Sequence, residues 1–332
     1  MTTCIDAFKN LNIVTKNNTL ALSPCCYSPP TVTKNIDFTN NEYLLQVRNS
    51  WNNGIFPAAC NSCQKEEVQG NRSRRIASNE WYQDNGHNNT ITELIRLDYW
   101  TGDLCNLRCA TCGPHDSSAW KEELKLSIKK PSINRFWQDI DLSKLRFIHF
   151  NGGEPLLSKE HVEFLKEIPK KQLVHLNYNT NGTILPSAEL LSLWDQFKIV
   201  QLDFSIDDIE ERFEYIRYPA SWDKVSKNLK WYVDNSPVNC MFAVNTTVSI
   251  LNYFNLTNLN SWLTNNFNSN RLGDIIDHRQ QPALRLFALN SNKSLTKPMV
   301  KFLDDCDLRR NTNWQKTFPE LSQLHINITN LE

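Results

Sequence analysis

Six alternations of a short apolar strand with a helix run through residues 91–310, and this pattern constrains the fold more than any other feature. Successive parallel strands need a long crossover connection, usually a helix, so the alternation is typical of a parallel sheet covered by helices. Strands are predicted over 95–104, 145–150, 173–179, 199–205, 240–248 and 283–289, and helices over 117–129, 159–168, 188–194, 222–234, 255–265 and 298–308. Six units predict an α/β fold with an open, partial (β/α)6 TIM-like barrel, whose chemistry lies at the carboxyl ends of its strands.

The first 90 residues lack this alternation. Prolines and Asn-Gly pairs mark turns along them, and only residues 42–51 have a convincing helical pattern. We therefore predict three parts: an irregular, cysteine-rich metal-binding module over residues 1–90, the barrel over 91–310, and a carboxyl-terminal tail over 311–332.

Composition excludes two broad classes. Lysine plus arginine and aspartate plus glutamate both number 36, so no overall charge attracts the chain to nucleic acid or to an anionic membrane. No apolar run approaches the roughly 18 residues that a membrane span needs, and the first ten residues, which include Asp6 and Lys9, do not resemble a secretory signal. We expect a cytoplasmic protein. In the cytoplasm, clustered cysteines favour metal ligation over disulfides.

Three cysteines follow the first predicted strand of the barrel. Cys105, Cys109 and Cys112 have the spacing C-x3-C-x2-C. Three thiolates this close can hold three irons of a [4Fe–4S] cluster and leave the fourth iron without a protein ligand, as a site built for chemistry requires. This spacing alone leaves two alternatives open: a structural zinc site, or three unrelated thiols in the core.

A Gly-Gly-Glu sequence follows the second strand. Gly152 and Gly153 let the backbone approach a ligand closely, and the carboxylate of Glu154 can accept hydrogen bonds from an ammonium group. Taken alone, the motif is also compatible with an ordinary glycine turn.

Polar residues also follow the third, fourth and fifth strands. Ser205 and Asp207 alternate at the end of the fourth strand and therefore face the same way, which suits the hydroxyls or carboxylate of a ligand. A helix cap for these two and an ion pair for Arg217 are the structural alternatives. The remaining candidates, which also suit a turn or an ordinary strand, are Thr180, Asn181 and Asn245.

The cysteine run, the Gly-Gly-Glu sequence and the Ser-x-Asp sequence together resemble the radical S-adenosylmethionine (SAM) superfamily over roughly residues 97–289. The resemblance implies that Cys105, Cys109 and Cys112 hold the catalytic [4Fe–4S] cluster, whose open iron chelates SAM. It implies that Gly152, Gly153 and Glu154 bind the SAM amino group. It further implies that Thr180, Asn181 and Asn245 line the pocket and that Ser205, Asp207 and Arg217 hold ribose and carboxylate. One departure is Thr111, where the family often has an aromatic residue near the adenine.

A second group of cysteines lies in the first 90 residues. Cys25 and Cys26 with Cys60 and Cys63 could close a four-thiolate shell around zinc or an iron–sulfur cluster, although adjacent cysteines rarely both ligate one ion. The segment resembles the twitch-type (SPASM-related) auxiliary-cluster module of radical SAM proteins, placed before the barrel. Three further cysteines stand alone in the sequence and are predicted to be small apolar residues: Cys4, Cys240 and Cys306.

The resemblance implies an enzyme that cleaves SAM reductively to a 5′-deoxyadenosyl radical, which abstracts hydrogen from a substrate. A peptide or protein side chain is the expected substrate, and a nucleoside, sugar or other small molecule is the alternative. We expect no separate leader-binding domain, which weighs against a ribosomally made peptide. A flavodoxin- or ferredoxin-like electron donor is the expected partner, and nucleic acid and membrane are not. A non-enzymatic zinc scaffold is the alternative from another class.

Overall fold

A computed structural model describes residues 2–16, 19–128, 135–267, 272–273 and 295–329. The chain divides into two compact units. The first comprises Met1–Asp103, Lys129–Tyr178 and Ala188–Val200, and the second comprises Leu104–Ile128, Asn179–Ser187 and Gln201–Glu332. The predicted division at residues 90 and 310 remains a prediction.

The first unit contains strands that pair in both directions. Its strands are β1 (Asn10–Lys16), β2 (Thr19–Ser23), β3 (Thr31–Val32), β4 (Arg96–Trp100), β5 (Phe147–Asn151) and most of β6 (His175–Thr180). They lie in the order β3-β2-β1-β4-β5-β6, with β1, β4, β5 and β6 parallel and β2 antiparallel to its neighbours. Its helices are α1 (Asp6–Lys9), α2 (Glu42–Asn52), α3 (Asn61–Val68), α4 (Arg74–Asp84), α6 (Lys159–Glu167) and α7 (Ala188–Trp194).

Aromatic packing forms much of the core of this unit. The ring of Phe150 on β5 stacks on Tyr178 on β6 at 4.6 Å, and Tyr99 on β4 meets Phe136 edge to face at 4.9 Å. Phe164 on α6 lies 5.7 Å from Tyr99, so the helix covers the strands through these rings.

The second unit carries the later strands and most later helices. Its strands are β7 (Ile199–Ser205), β8 (Cys240–Asn245) and β9 (Leu272–Gly273), in that order, with β8 and β9 parallel. Its helices are α5 (Ser118–Glu123), α8 (Glu210–Ile216), α9 (Trp222–Asn235), α10 (Leu256–Asn266), α11 (Lys297–Arg310), α12 (Trp314–Thr317) and α13 (Pro319–Thr329). The prediction of an α/β fold with a mostly parallel, unclosed sheet is confirmed, whereas the sixth predicted strand, 283–289, lies outside the described residues.

The first 90 residues are more regular than the sequence predicts. Strand β1 extends the sheet by pairing in parallel with β4, and α1, α3 and α4 accompany the predicted helix α2. Leu11 and Ile13 on β1 are fully buried, but Asn10 and Asn12 are buried as well. Asn10 and Asn12 alternate along the chain with Leu11 and Ile13, and all four are buried. Because the polar residues are buried as well, β1 is not an amphipathic strand with one exposed face.

The segment predicted as a carboxyl-terminal tail folds into helices α12 and α13. Trp314, Phe318 and Leu321 are almost fully buried, in one apolar cluster with Tyr215 and Leu303. The local sequence has little periodicity, so the packing partners of these residues decide its structure.

Candidate active site and amino-terminal cysteine cavity

Backbone hydrogen bonds hold the loop that carries Cys105, Cys109 and Cys112. The N–H of Arg108 donates to the carbonyl of Tyr218 at 2.6 Å, and the N–H of Ala110 donates to the carbonyl of Ile216 at 2.7 Å. The indole N–H of Trp120 on α5 donates to the carbonyl of Cys109 at 3.0 Å. The loop is therefore anchored on both sides, which limits where its thiols can lie.

All three thiols of this loop are half-buried. Burial raises the pKa of Cys112, and the charges of Cys109 and Cys105, which repel a Cys112 thiolate, raise it further. Burial also raises the pKa of Cys109, whereas the guanidinium of Arg217 opposes that rise. A bound cation would relieve this repulsion, and soft thiolates are the usual ligands of iron–sulfur clusters, so the donor set fits such a cluster.

The turn after β6 is bound to the same cysteine loop. The amide of Asn181 donates to the side-chain oxygen of Asn106 at 3.0 Å, and the amide of Asn106 donates to the hydroxyl of Thr183 at 2.8 Å. The N–H of Thr183 donates back to the Asn181 side chain at 2.9 Å. Asn181 thus supports the loop between the first two cysteines, and the sequence contains no local signal for the part played by Asn106.

Asp207 and Arg217 form a buried ion pair beside this loop. Their side chains meet at 2.9 Å, with the Asp207 side chain 1 % and the Arg217 side chain 11 % exposed. The other Asp207 oxygen accepts the N–H of Thr247 at 3.0 Å. The pair places the Arg217 guanidinium near Cys109. It is the ion pair that was the structural alternative for Arg217, but it is buried.

Ser205 and Asn245 lie at the ends of β7 and β8. Both are half-buried, and the carbonyl of Asn245 accepts the N–H of Ile206. Next to them, burial raises the pKa of Asp208 to about 6, against hydrogen bonds from Asn255 and the N–H of Ile209.

In the first unit, the Gly-Gly-Glu sequence forms a tight turn against the end of β4. Gly152 has φ +122°, and a Cβ there would lie 2.6 Å from the carbonyl oxygen of Gly102. The N–H of Gly153 donates to that same oxygen at 2.9 Å. Glu154 is 1 % exposed and accepts the N–H of Leu156 at 3.1 Å, at the start of a short 3-10 helix. Glycine at position 152 is therefore required by close backbone approach.

A second group of thiols surrounds a cavity in the first unit. Cys4 precedes α1, Cys25 follows β2, and Cys60 and Cys63 lie at the start of α3. All four line one small cavity, with a volume of about 10 Å³. They are buried, with exposed fractions of 7 %, 8 %, 9 % and 6 % in chain order.

This arrangement differs from the sequence prediction at two positions. Cys4, predicted to stand alone, lies in the cavity, where burial raises its pKa and the charges of Asp6, Cys25, Cys60 and Cys63 raise it further. Cys26 is not part of the cavity wall. The sequence offers no signal for Cys4, because twenty residues separate it from the next cysteine.

Charged side chains extend from this cavity towards the sheet. Arg74 on the cavity wall pairs with Asp98 at 3.1 Å and with Asp6 at 3.7 Å. His149 lies 3.4 Å from the other Asp98 oxygen. Although burial raises the pKa of Asp98, Arg74 and His149 hold it well below its usual range.

Within the ranges that the structure describes, no three His, Cys, Asp or Glu side chains are already arranged around a single metal position. No helix in the same ranges is long and apolar enough to cross a membrane. None of the ten cysteines, all of which lie in the described ranges, forms a disulfide.

Comparison with protein families matches residues 101–252 to the radical SAM superfamily. The match begins directly before the cysteine loop and ends after β8, so it includes the predicted cluster and SAM residues. This match indicates an enzyme, as predicted.

Curated relatives share less than half of their length with the chain. A GTP 3′,8-cyclase of Clostridium perfringens (strain 13 / Type A) is 28% identical over 148 residues, which are 44% of each protein. The Molybdenum cofactor biosynthesis protein 1 of Dictyostelium discoideum is 27% identical over 131 residues, 38% of this chain and 20% of the relative. The chain thus spans about two fifths of the first of these radical SAM relatives and one fifth of the second.

Solved structures with some likeness include native anSMEcpe with bound AdoMet, at 16% identity and a TM-score of 0.44, covering 64% of this chain and 60% of that one. SuiB of Streptococcus suis bound to S-adenosylmethionine has 12% identity and a TM-score of 0.44, covering 93% of this chain and 74% of SuiB.

Proposed function

We propose that the chain is a radical SAM enzyme in which Cys105, Cys109 and Cys112 hold a [4Fe–4S] cluster and SAM occupies its open iron. When bound and reduced, this cluster would supply the electron that cleaves SAM to methionine and a 5′-deoxyadenosyl radical, which takes a hydrogen atom from the substrate. The observation that carries the proposal is the backbone-anchored loop of three half-buried thiols inside the segment that matches the superfamily.

The chain's own residues would orient these groups. Asn181 and Asn106 hold the loop, and the Arg217–Asp207 pair provides a buried cation beside Cys109, where it can offset part of the negative charge of the thiolates. Ser205 and Asn245, at adjacent strand ends, and Thr180 are proposed to line the SAM pocket. The roles of Gly152, Gly153 and Glu154 in binding the SAM amino group rest on the family resemblance and remain a prediction.

We further propose a second, auxiliary iron–sulfur cluster at the cysteines of the first unit. The four buried thiols around one cavity support it, because buried thiols that repel one another as thiolates are stabilised by a bound cationic cluster. The twitch-type character of this region remains a prediction.

The proposed substrate is a peptide or protein side chain, as the resemblance to auxiliary-cluster enzymes implies. Similarity to GTP 3′,8-cyclases favours a nucleotide as the second candidate. A flavodoxin- or ferredoxin-like protein is the proposed electron donor. The cytoplasm is the proposed compartment, where the ten cysteines would remain without disulfides.

The test uses anaerobically reconstituted protein with SAM and dithionite. The wild-type protein is expected to form 5′-deoxyadenosine, and Cys105→Ala is expected to abolish its formation. Cys240→Ala, which removes a buried thiol from β8, is the matched control and should retain the activity. Formation of 5′-deoxyadenosine by Cys105→Ala at the wild-type rate would refute the assignment of the three cysteines.

The substrate classes are separated by two parallel incubations, one with a peptide library and one with GTP. Mass spectrometry then reports which of them changes mass in step with 5′-deoxyadenosine formation. A mass change confined to GTP would reject the peptide proposal and support the nucleotide.

A further inference from the structure

The sequence leaves open which cysteines of the first unit bind metal, since it offers Cys25 and Cys26 as an adjacent pair. The structure brings four thiols to one cavity, and they come from three separate stretches of chain: Cys4, Cys25, and the pair Cys60 and Cys63. Cys25 is held there by the hydroxyl of Ser28, 3.5 Å from its sulfur. The adjacent Cys26 is half-buried and is not on the cavity wall.

Cys26 has a different environment from Cys25. Cys26 is half-buried, whereas Cys25 is 8 % exposed and lies on the cavity wall. Neighbouring residues of an extended or turn segment point in different directions, so one cavity accommodates only one of the two thiols.

One wall of the cavity also presents a hydrogen-bond donor towards this space. Trp51 is 3 % exposed, and its indole N–H lies beside the thiol of Cys60. This donor would stabilise a Cys60 thiolate in the cavity.

We propose that Cys4, Cys25, Cys60 and Cys63 are the four protein ligands of an iron–sulfur cluster in this cavity, and that Cys26 is not a ligand. This inference rests on the auxiliary cluster proposed above and adds Cys4 to it. Four thiolates complete the coordination of a [4Fe–4S] cluster.

A complete shell has a functional consequence. With every iron ligated by the protein, no iron is left to bind substrate, so the cluster would transfer electrons and would not anchor the substrate. Arg74, on the cavity wall, places a positive charge beside the negatively charged thiolate shell.

The experiment begins from the full chain with Cys105, Cys109 and Cys112 all replaced by alanine, so that only the second site remains. This parent variant is reconstituted anaerobically, and its iron, sulfide and zinc are measured together with its visible absorption. Cys4→Ala and the matched control Cys26→Ala are then made in the same background. The parent and Cys26→Ala are expected to bind about four irons, and Cys4→Ala to lose most of them.

Cys4→Ser guards against a general folding failure, because a serine oxygen can replace the sulfur as a ligand. It is expected to keep iron and to show a changed electron paramagnetic resonance spectrum, while Cys26→Ser keeps the parent spectrum. Full iron and an unchanged spectrum in both Cys4 variants, or iron loss in Cys26→Ala, would overturn the ligand assignment and leave the auxiliary cluster standing. A parent variant without iron, or with zinc in its place, would instead refute the auxiliary iron–sulfur cluster itself.

Discussion

Replacing Gly152 with alanine is expected to destabilise the protein through two separate effects. The first is backbone strain, because φ +122° is disfavoured for any residue with a Cβ and costs roughly 1–3 kcal/mol. The second is steric, because the new Cβ would lie 2.6 Å from the carbonyl oxygen of Gly102. That oxygen must move by several tenths of an ångström, although it accepts the N–H of Gly153, and a weakened hydrogen bond adds about 1 kcal/mol.

The chain contains a matched control for the strain alone. Gly86 has φ +73°, and a Cβ there would have no atom within 4 Å, so Gly86→Ala should cost only about 1–2 kcal/mol. Gly152→Ala should therefore lower the free energy of unfolding by about 2–4 kcal/mol, or roughly 1–2 kcal/mol more than the control.

Urea unfolding followed by circular dichroism measures both variants against the wild-type protein. Equal losses in the two variants would show that contact with the Gly102 carbonyl does not matter, and would refute the close approach as the reason for glycine at position 152.

Three further predictions follow from buried polar groups. Arg74→Met should lower the free energy of unfolding by about 3 kcal/mol at pH 7, because it removes the guanidinium that pairs with the buried Asp98 carboxylate. Since Arg74 lowers the pKa of Asp98, this loss should shrink as the pH falls below about 4 and the carboxylate is protonated, as urea titrations at several pH values would show. Burial raises the pKa of Asp208 to about 6, so between about pH 4 and 6 the folded state binds more protons than the unfolded state. The free energy of unfolding of the wild-type protein should therefore fall as the pH rises from about 4 to 6. Asp208→Asn should remove that part of the pH dependence, and an unchanged pH profile would contradict the assignment. Asn181→Ala should remove the hydrogen bond to Asn106 and lower the free energy of unfolding by about 1–3 kcal/mol. If the cysteine loop then shifts, calorimetry should also show a weaker affinity for SAM.

Much of the fold was predictable because its signals are local. The observed strand β7 and helix α7 have the predicted bounds, and β5, β6, α6 and α9 differ by a few residues at their ends. Short apolar runs and amphipathic helices reveal themselves in a few consecutive residues, so the α/β alternation follows from the sequence.

Where buried polar residues interrupt the apolar pattern, prediction from the sequence was wrong. Strand β1 was missed because Asn10 and Asn12 are buried in it, where Asn10 donates to Asp98 and Asn12 to Ser23. These partners lie in other strands, and without them the same residues indicate a turn.

The sequence by itself determined the main alternation of strands and helices between residues 95 and 265, the spacing of Cys105, Cys109 and Cys112, and the superfamily to which they point. Only the tertiary structure decided that Cys4, and not Cys26, faces the amino-terminal cavity, and that Asp207 pairs with Arg217. Spacing within one loop is set by covalent geometry, which the sequence contains. Convergence of residues from separate stretches of chain depends on how the helices and strands pack, and no local pattern records it.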